Sequence, residues 1–186
     1  MPDLEPIIGG GSVLGRAPRP GQAALMLLDA LEPVGVTTLL LDMFGLMPAL
    51  GACALAQPLA AVQALGAGGL VTLGTAVVPV GRAKLGDTVL GVRVKYESGG
   101  DLEVDVKAGT LEVLPLPLGQ QAELKLRPCS NIDVGRGGPG QGGKSIKVEG
   151  GLVGLIIDAR GRPLVLPADA TKRRERVQQW LWDMGA

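Results

Sequence analysis

The sequence predicts an α+β protein: an opening α/β segment, a run of antiparallel strands forming a sandwich or small barrel, and a closing helix. Three observations carry this. Apolar residues at helical spacing alternate with short apolar runs over the first 69 residues. From Leu70 onward the pattern changes to period two, with turn residues between short segments. From Asp169 the helical period returns. The organisation expected is therefore residues 1–69, an α/β segment; residues 70–168, a β-rich domain; and residues 169–186, a carboxy-terminal helix.

Each element follows from its own residues. Ile7-Ile8 is a short apolar strand that runs into Gly9-Gly10-Gly11-Ser12, a turn at which a ligand or another backbone can approach closely. Arg16 to Pro20 reads as a linker. Gly21 to Glu32 reads as a helix whose Ala24, Leu25, Leu28 and Leu31 share one face, ended by Pro33 and Gly35. Val36 to Leu41 is a buried strand closed by Asp42. Leu46 to Ala56 is a second helix, and Pro58 is well placed to start a third that runs to about Leu65. Strand, helix, strand, helix, helix cannot cover both faces of a sheet, so this segment reads as part of a larger fold.

In the β-rich part, Val92, Val94 and Tyr96 alternate with Arg93 and Lys95, while Leu102, Val104 and Val106 alternate with Glu103, Asp105 and Lys107. A three-residue loop, Ser98-Gly99-Gly100, would pair Lys95 with Glu103 and Arg93 with Asp105, so that register and turn support each other. Further strands are expected at Leu111–Leu114, Ala122–Leu126, Ser145–Val148, Leu152–Ile157 and Leu164–Leu166. The last helix, Asp169 to Met184, is expected to be capped by Asp169, with Val177, Trp180, Leu181 and Met184 on its apolar face.

Composition narrows the function classes. Hydrophobic residues make up 46% of the 186 residues, enough for a core, but only four are aromatic: Phe44, Tyr96, Trp180 and Trp182. Net charge is zero, with two basic and five acidic residues up to position 80 and a basic excess after it. Neither charge nor aromatic placement suits a nucleic-acid surface. With no histidine, the commonest proton-transfer residue is missing. Cys53 and Cys129 lack metal-ligand spacing and read as two reduced, buried thiols of a cytoplasmic protein, so no metal site is expected. Met1 leads directly into Pro2-Asp3 without a signal peptide. Met43 to Gly81 carries no charge, yet prolines and glycines interrupt it too often for a membrane span.

Few motifs could carry chemistry. Gly138 to Ser145 satisfies the phosphate-loop pattern, but Ile146-Lys147-Val148-Glu149 alternates like a strand where that motif requires a helix. The segment therefore reads as a loop between strands, with Arg136, Lys144 and Ser145 as candidate contacts to an anionic partner. Arg160 and Arg162 flank Gly161 in what reads as a solvated turn, with anion recognition as the alternative. Lys172-Arg173-Arg174 is a solubilising face or a site for an acidic partner. Trp180 reads as a core anchor, and Trp182 as a docking residue or one covered by a loop. Asp42, Asp133 and Asp158 end apolar stretches, where both turn-forming and catalytic aspartates occur.

Ile7-Ile8-Gly9-Gly10-Gly11-Ser12-Val13-Leu14, Gly21-Gln22-Ala23-Ala24-Leu25-Met26-Leu27-Leu28-Asp29-Ala30-Leu31 and Leu46-Met47-Pro48-Ala49-Leu50-Gly51-Ala52 resemble the glutamate mutase accessory (MutL-like) proteins. That family belongs to the actin-like ATPase superfamily. The resemblance runs on through Gly135–Gly143, Gly154–Pro163 and Gln178–Gly185, and covers only the carboxy-terminal part of a longer family member. It implies that residues 1–69 are a fragment of an actin-like ATPase fold. It would also place Gly9, Gly10, Gly11 and Ser12 at the adenosine motif; an ordinary strand-to-loop turn is the other reading of those residues. The superfamily's phosphate-binding hairpins and catalytic acids have no counterpart before Ile7. The expectation is therefore a non-catalytic module with no cofactor of its own, ATP belonging to a longer parent. It would act in partner binding or assembly for a cobalamin-dependent mutase, or self-associate as a homo-oligomer. A standalone β-rich binding module with no nucleotide role is the alternative.

Overall fold

The computed structural model describes residues 5–185, and the Met1-Pro2-Asp3 start lies outside the described residues. The fold is α+β, as expected. The opening segment forms β1 (Ile7–Gly10), a single turn α1 (Ser12–Gly15), α2 (Pro20–Leu31), β2 (Gly35–Asp42), α3 (Leu46–Ala56) and α4 (Pro58–Ala64). An irregular helical turn at Leu65–Gly69 leads into β3 (Val71–Val78) and β4 (Val80–Gly81). Then follow β5 (Thr88–Tyr96), β6 (Asp101–Lys107), β7 (Leu111–Leu114), β8 (Gln121–Pro128), β9 (Ile132–Asp133), β10 (Ile146–Glu149), β11 (Gly154–Asp158) and α5 (Ala170–Asp183).

A five-stranded mixed sheet has the order β1-β2-β3-β11-β7, and a four-stranded antiparallel sheet has the order β10-β8-β5-β6. The larger sheet draws strands from both sides of residue 70, so the two parts of the chain build it together. β1 and β2 run parallel, as a strand–helix–strand unit requires, while β2 and β3 are antiparallel.

One face of the five-stranded sheet meets α2 and α5 in a core that includes Leu28, Leu39, Leu73, Ile156 and Trp180. Its other face meets the four-stranded sheet in a second core around Val77, Leu90, Val92, Leu124, Leu155 and Ile157. The molecule is thus three layers: helices, mixed sheet, antiparallel sheet. β11 is buried along its whole length because it lies between both neighbours, and its continuous apolar run is what a strand covered on both faces needs. Tight approach is made by glycine: a side chain at Gly21 of α2 would come within 2.0 Å of the Met184 carbonyl oxygen at the end of α5.

Three expectations are corrected. The hairpin β5–β6 forms, but Lys95 faces Asp101 and Arg93 faces Glu103, a shift of two positions. The three-residue loop sits one residue earlier, closed by Tyr96 N–H donating to Gly100 C=O, because Gly99 and Gly100 both take positive φ. A shift of two preserves side-chain parity, so Val92 and Val94 still face the core. No strand forms at Leu164–Leu166. The Leu164 N–H donates instead to the Glu32 carboxylate at 3.2 Å, and Pro163 and Pro167 bracket the segment. Cys53 and Cys129 are free and exposed, not buried: α3 has no cover, and Cys129 lies in a turn where its thiol donates to the Thr88 carbonyl.

Candidate functional site

The glycine turn lies at the carboxyl ends of the parallel pair β1 and β2, the place where ligands bind in open α/β sheets. Its glycines have different reasons to be there. A side chain at Gly9 would come within 2.8 Å of Leu27, so packing against α2 demands its absence. Gly10 faces Asp42 with room to spare, and Gly11 takes φ +97° beside open space. Ser12 then begins α1, one turn with no buried residue. Packing accounts for Gly9 and backbone geometry for Gly11; Gly10 has neither constraint, since a side chain there would meet Asp42 at an ordinary 3.7 Å.

Asp42 ends β2 and is buried. Its carboxylate accepts from the Leu46 and Met47 amides at 2.8 and 2.9 Å, so it caps α3. Those amide hydrogen bonds hold its pKa below the usual carboxylate value. The capped helix is unusual: α3 has no buried residue and α4 has only Ala61. Both are free of charge and pack closely on one another. Met43, Phe44, Met47, Leu55, Leu59, Val62 and Leu65 are all exposed, Leu55 at 91% and Phe44 at 75%. A concentration of this kind exceeds the scattered apolar residues of ordinary surfaces.

Sequence reasoning missed a second cluster. Arg160 and Arg162 do not form a solvated turn; their side chains are 0% and 5% exposed. Strand β11 carries Asp158 into the interior, where Arg160 Nε and Nη2 donate to its two oxygens at 2.8 Å each. Arg162 donates to the same carboxylate, and Arg160 also reaches Asp29 of α2 at 2.7 Å. The Arg160 guanidinium stacks 4.7 Å from the Trp180 ring centroid. One side chain thereby fastens β11, α2 and α5 together. Burial pushes the Asp158 pKa up, but the two guanidiniums more than offset this and leave it lowered. The local signal was an Asp-x-Arg-x-Arg alternation after a fully apolar strand, which reads equally well as a turn.

The remaining candidates are dispersed. Gly138 to Ser145 is a loop followed by strand β10, with no helix to hold a phosphate. Arg136 is half-buried against Gly143, Lys144 is exposed, and the Ser145 hydroxyl donates to the Glu123 carboxylate. Asp133 accepts from the Gly135 N–H at 2.7 Å in a local turn. Asp169 caps α5 by accepting from the Lys172 N–H, Trp180 is buried, and Trp182 is 62% exposed. Lys172, Arg173 and Arg174 are exposed. Among the described residues there is no group of His, Cys, Asp and Glu that could hold a metal ion, and no helix is long and apolar enough to cross a membrane. In comparisons with known proteins, no family, no curated protein and no solved structure matches the chain.

Proposed function

We propose that the chain is a non-catalytic binding and assembly module, and that a second copy of itself covers α3 and α4. The observation that carries this reading is the charge-free, exposed apolar surface of those helices. In a two-fold contact the same patch is used by both copies, so a patch without charge buries no charged side chain on either side and needs no opposite charge placed to meet it. Homodimer interfaces are also the most apolar class. The resemblance to glutamate mutase accessory proteins supports placing this role in an ATPase-like protein that maintains a cobalamin-dependent mutase, with ATP bound by the longer parent. The packing reason found for Gly9 and the positive φ of Gly11 favour a second reading, an assembly module with no nucleotide role at all.

Light scattering of the purified chain at about 50 μM tests assembly. A dimer or larger species is expected, and Leu55→Asp with Val62→Asp should convert it to monomer with an unchanged circular dichroism spectrum. A wild-type monomer at that concentration refutes the proposal. Calorimetric titration with ATP separates the two nucleotide readings: saturable binding abolished by Gly10→Val would restore an adenosine site to this chain, and no heat would favour the module without one.

A further inference from the structure

β2 and β3 are antiparallel neighbours, with Leu40 opposite Thr72 and Leu41 opposite Val71. Carried one position further, that register sets Asp42 opposite Leu70. A two-residue turn would be enough to join them as a hairpin. The chain instead runs out through residues 43–69, which form α3, α4 and the irregular turn Leu65–Gly69, and comes back beside the point it left. The two ends of this excursion meet at its root, where the Leu46 side chain lies 3.4 Å from the place a Cβ on Gly69 would take. Gly45 at φ +67° and Gly68 at φ +94° make the bends, both beside open space.

The excursion adds nothing to either core. No residue of 43–69 belongs to the cluster between the two sheets or to the one beneath α2 and α5. Of the whole stretch, Ala61 alone is buried. α3 is apolar on every side, with no charged or amide side chain from Leu46 to Ala56, and helices of that composition are ordinarily covered. At eleven and seven residues, α3 and α4 are also too short to be stable by themselves. Asp42 ties α3 to the body. Its place at the end of β2 is set by pairing with Gly10 of β1, and its two carboxylate oxygens accept from the Leu46 and Met47 amides.

We infer, in a reading that rests on the self-association proposed above, that residues 43–69 are an assembly arm inserted between two paired strands. The arm is dispensable for folding of the body, and Asp42 is the positioning residue that aims it at the second copy. Asp42 is itself buried, so it acts through the direction of α3 and not by touching the partner. Without its two hydrogen bonds the arm can pivot at Gly45, and association must then bear the entropy cost of ordering it.

Replacing residues 43–69 by Asn-Gly, a pair that favours two-residue hairpin turns, should give a chain that melts cooperatively and is monomeric at concentrations where the wild type associates. In the full chain, Asp42→Ala should weaken association at least about tenfold in sedimentation velocity, the size expected for a lost cap, while amide exchange in β3 and β11 stays slow. Asp42→Asn keeps one acceptor oxygen and should restore part of the affinity. Faster exchange in β3 and β11 of the Asp42→Ala chain, or association as tight as wild type, would overturn the positioning role. A shortened chain that does not fold, or that folds and still associates, would overturn the arm. A monomeric wild type beside a well-folded shortened chain would instead sink the self-association reading and leave the arm as a segment that folding does not require.

Discussion

At the residue scale the Asp158–Arg160 pair dominates. Removing one partner of a buried pair leaves the other charge without its counterion, which costs about 3–5 kcal/mol. Arg160→Met should therefore destabilise the fold by about 3 kcal/mol in urea titrations, since Arg162 still serves Asp158. Arg160→Lys keeps the charge but not the planar fork that contacts Asp158 and Asp29 together, so it should lose a sizeable part of the same stability. The pair also sets an acid limit. Because the folded Asp158 carboxyl titrates below its unfolded value, its stabilisation is complete above about pH 4 and is lost as pH falls through the folded pKa. Asp42 acts in the same direction. In an Asp158→Asn variant, stability at neutral pH should fall and its decline below pH 4 should flatten; an unchanged acid limb would show that other carboxylates govern it. None of this cluster was legible from local sequence, because Asp29 and Arg160 lie 131 positions apart and only the fold joins them.

Helices were more legible than strands because their ends are written locally. Pro58 starts α4, Asp169 caps α5, and α3 has the expected bounds. Asp169→Ala should cost about 1 kcal/mol and fray the first turn of α5, read as faster amide exchange there. Gly21→Ala is the harsher test. The added carbon would sit 2.0 Å from the Met184 carbonyl oxygen, so α2 and α5 must separate. A loss of about 1–3 kcal/mol is expected from such overpacking, and a stable variant would mean that the helices do not cross so closely. For β5 and β6, alternation fixed which residues face inward but not which partner each meets. The choice between registers two apart fell to the turn, where the loop moved by one residue.

The whole molecule explains both what the sequence concealed and how the parts should differ in stability. Residues 1–69 look incomplete in isolation because β3, β11 and β7 of the later chain extend their sheet, and no local pattern predicts that β11 inserts between β3 and β7. The candidate site divides along the same line: the glycine turn and the charge-free stretch were readable as sequence, whereas the Asp158–Arg160–Asp29 cluster exists only once α2 packs beside the end of β11. The three-layer arrangement buries β3 and β11 between helices and the second sheet, while α3 and α4 have almost nothing buried. Exchange of backbone amides reports the local opening energy, which follows such differences in packing. In the monomeric Leu55→Asp, Val62→Asp chain, amides of β3 and β11 should be the slowest to exchange, and those of α3 and α4 should exchange near the unprotected rate. In wild type the same helices should become protected as protein concentration rises, while β3 and β11 stay unchanged. Protection of α3 and α4 that is independent of concentration would mean that they are stabilised within one chain, and the case for a second copy as their cover would fail.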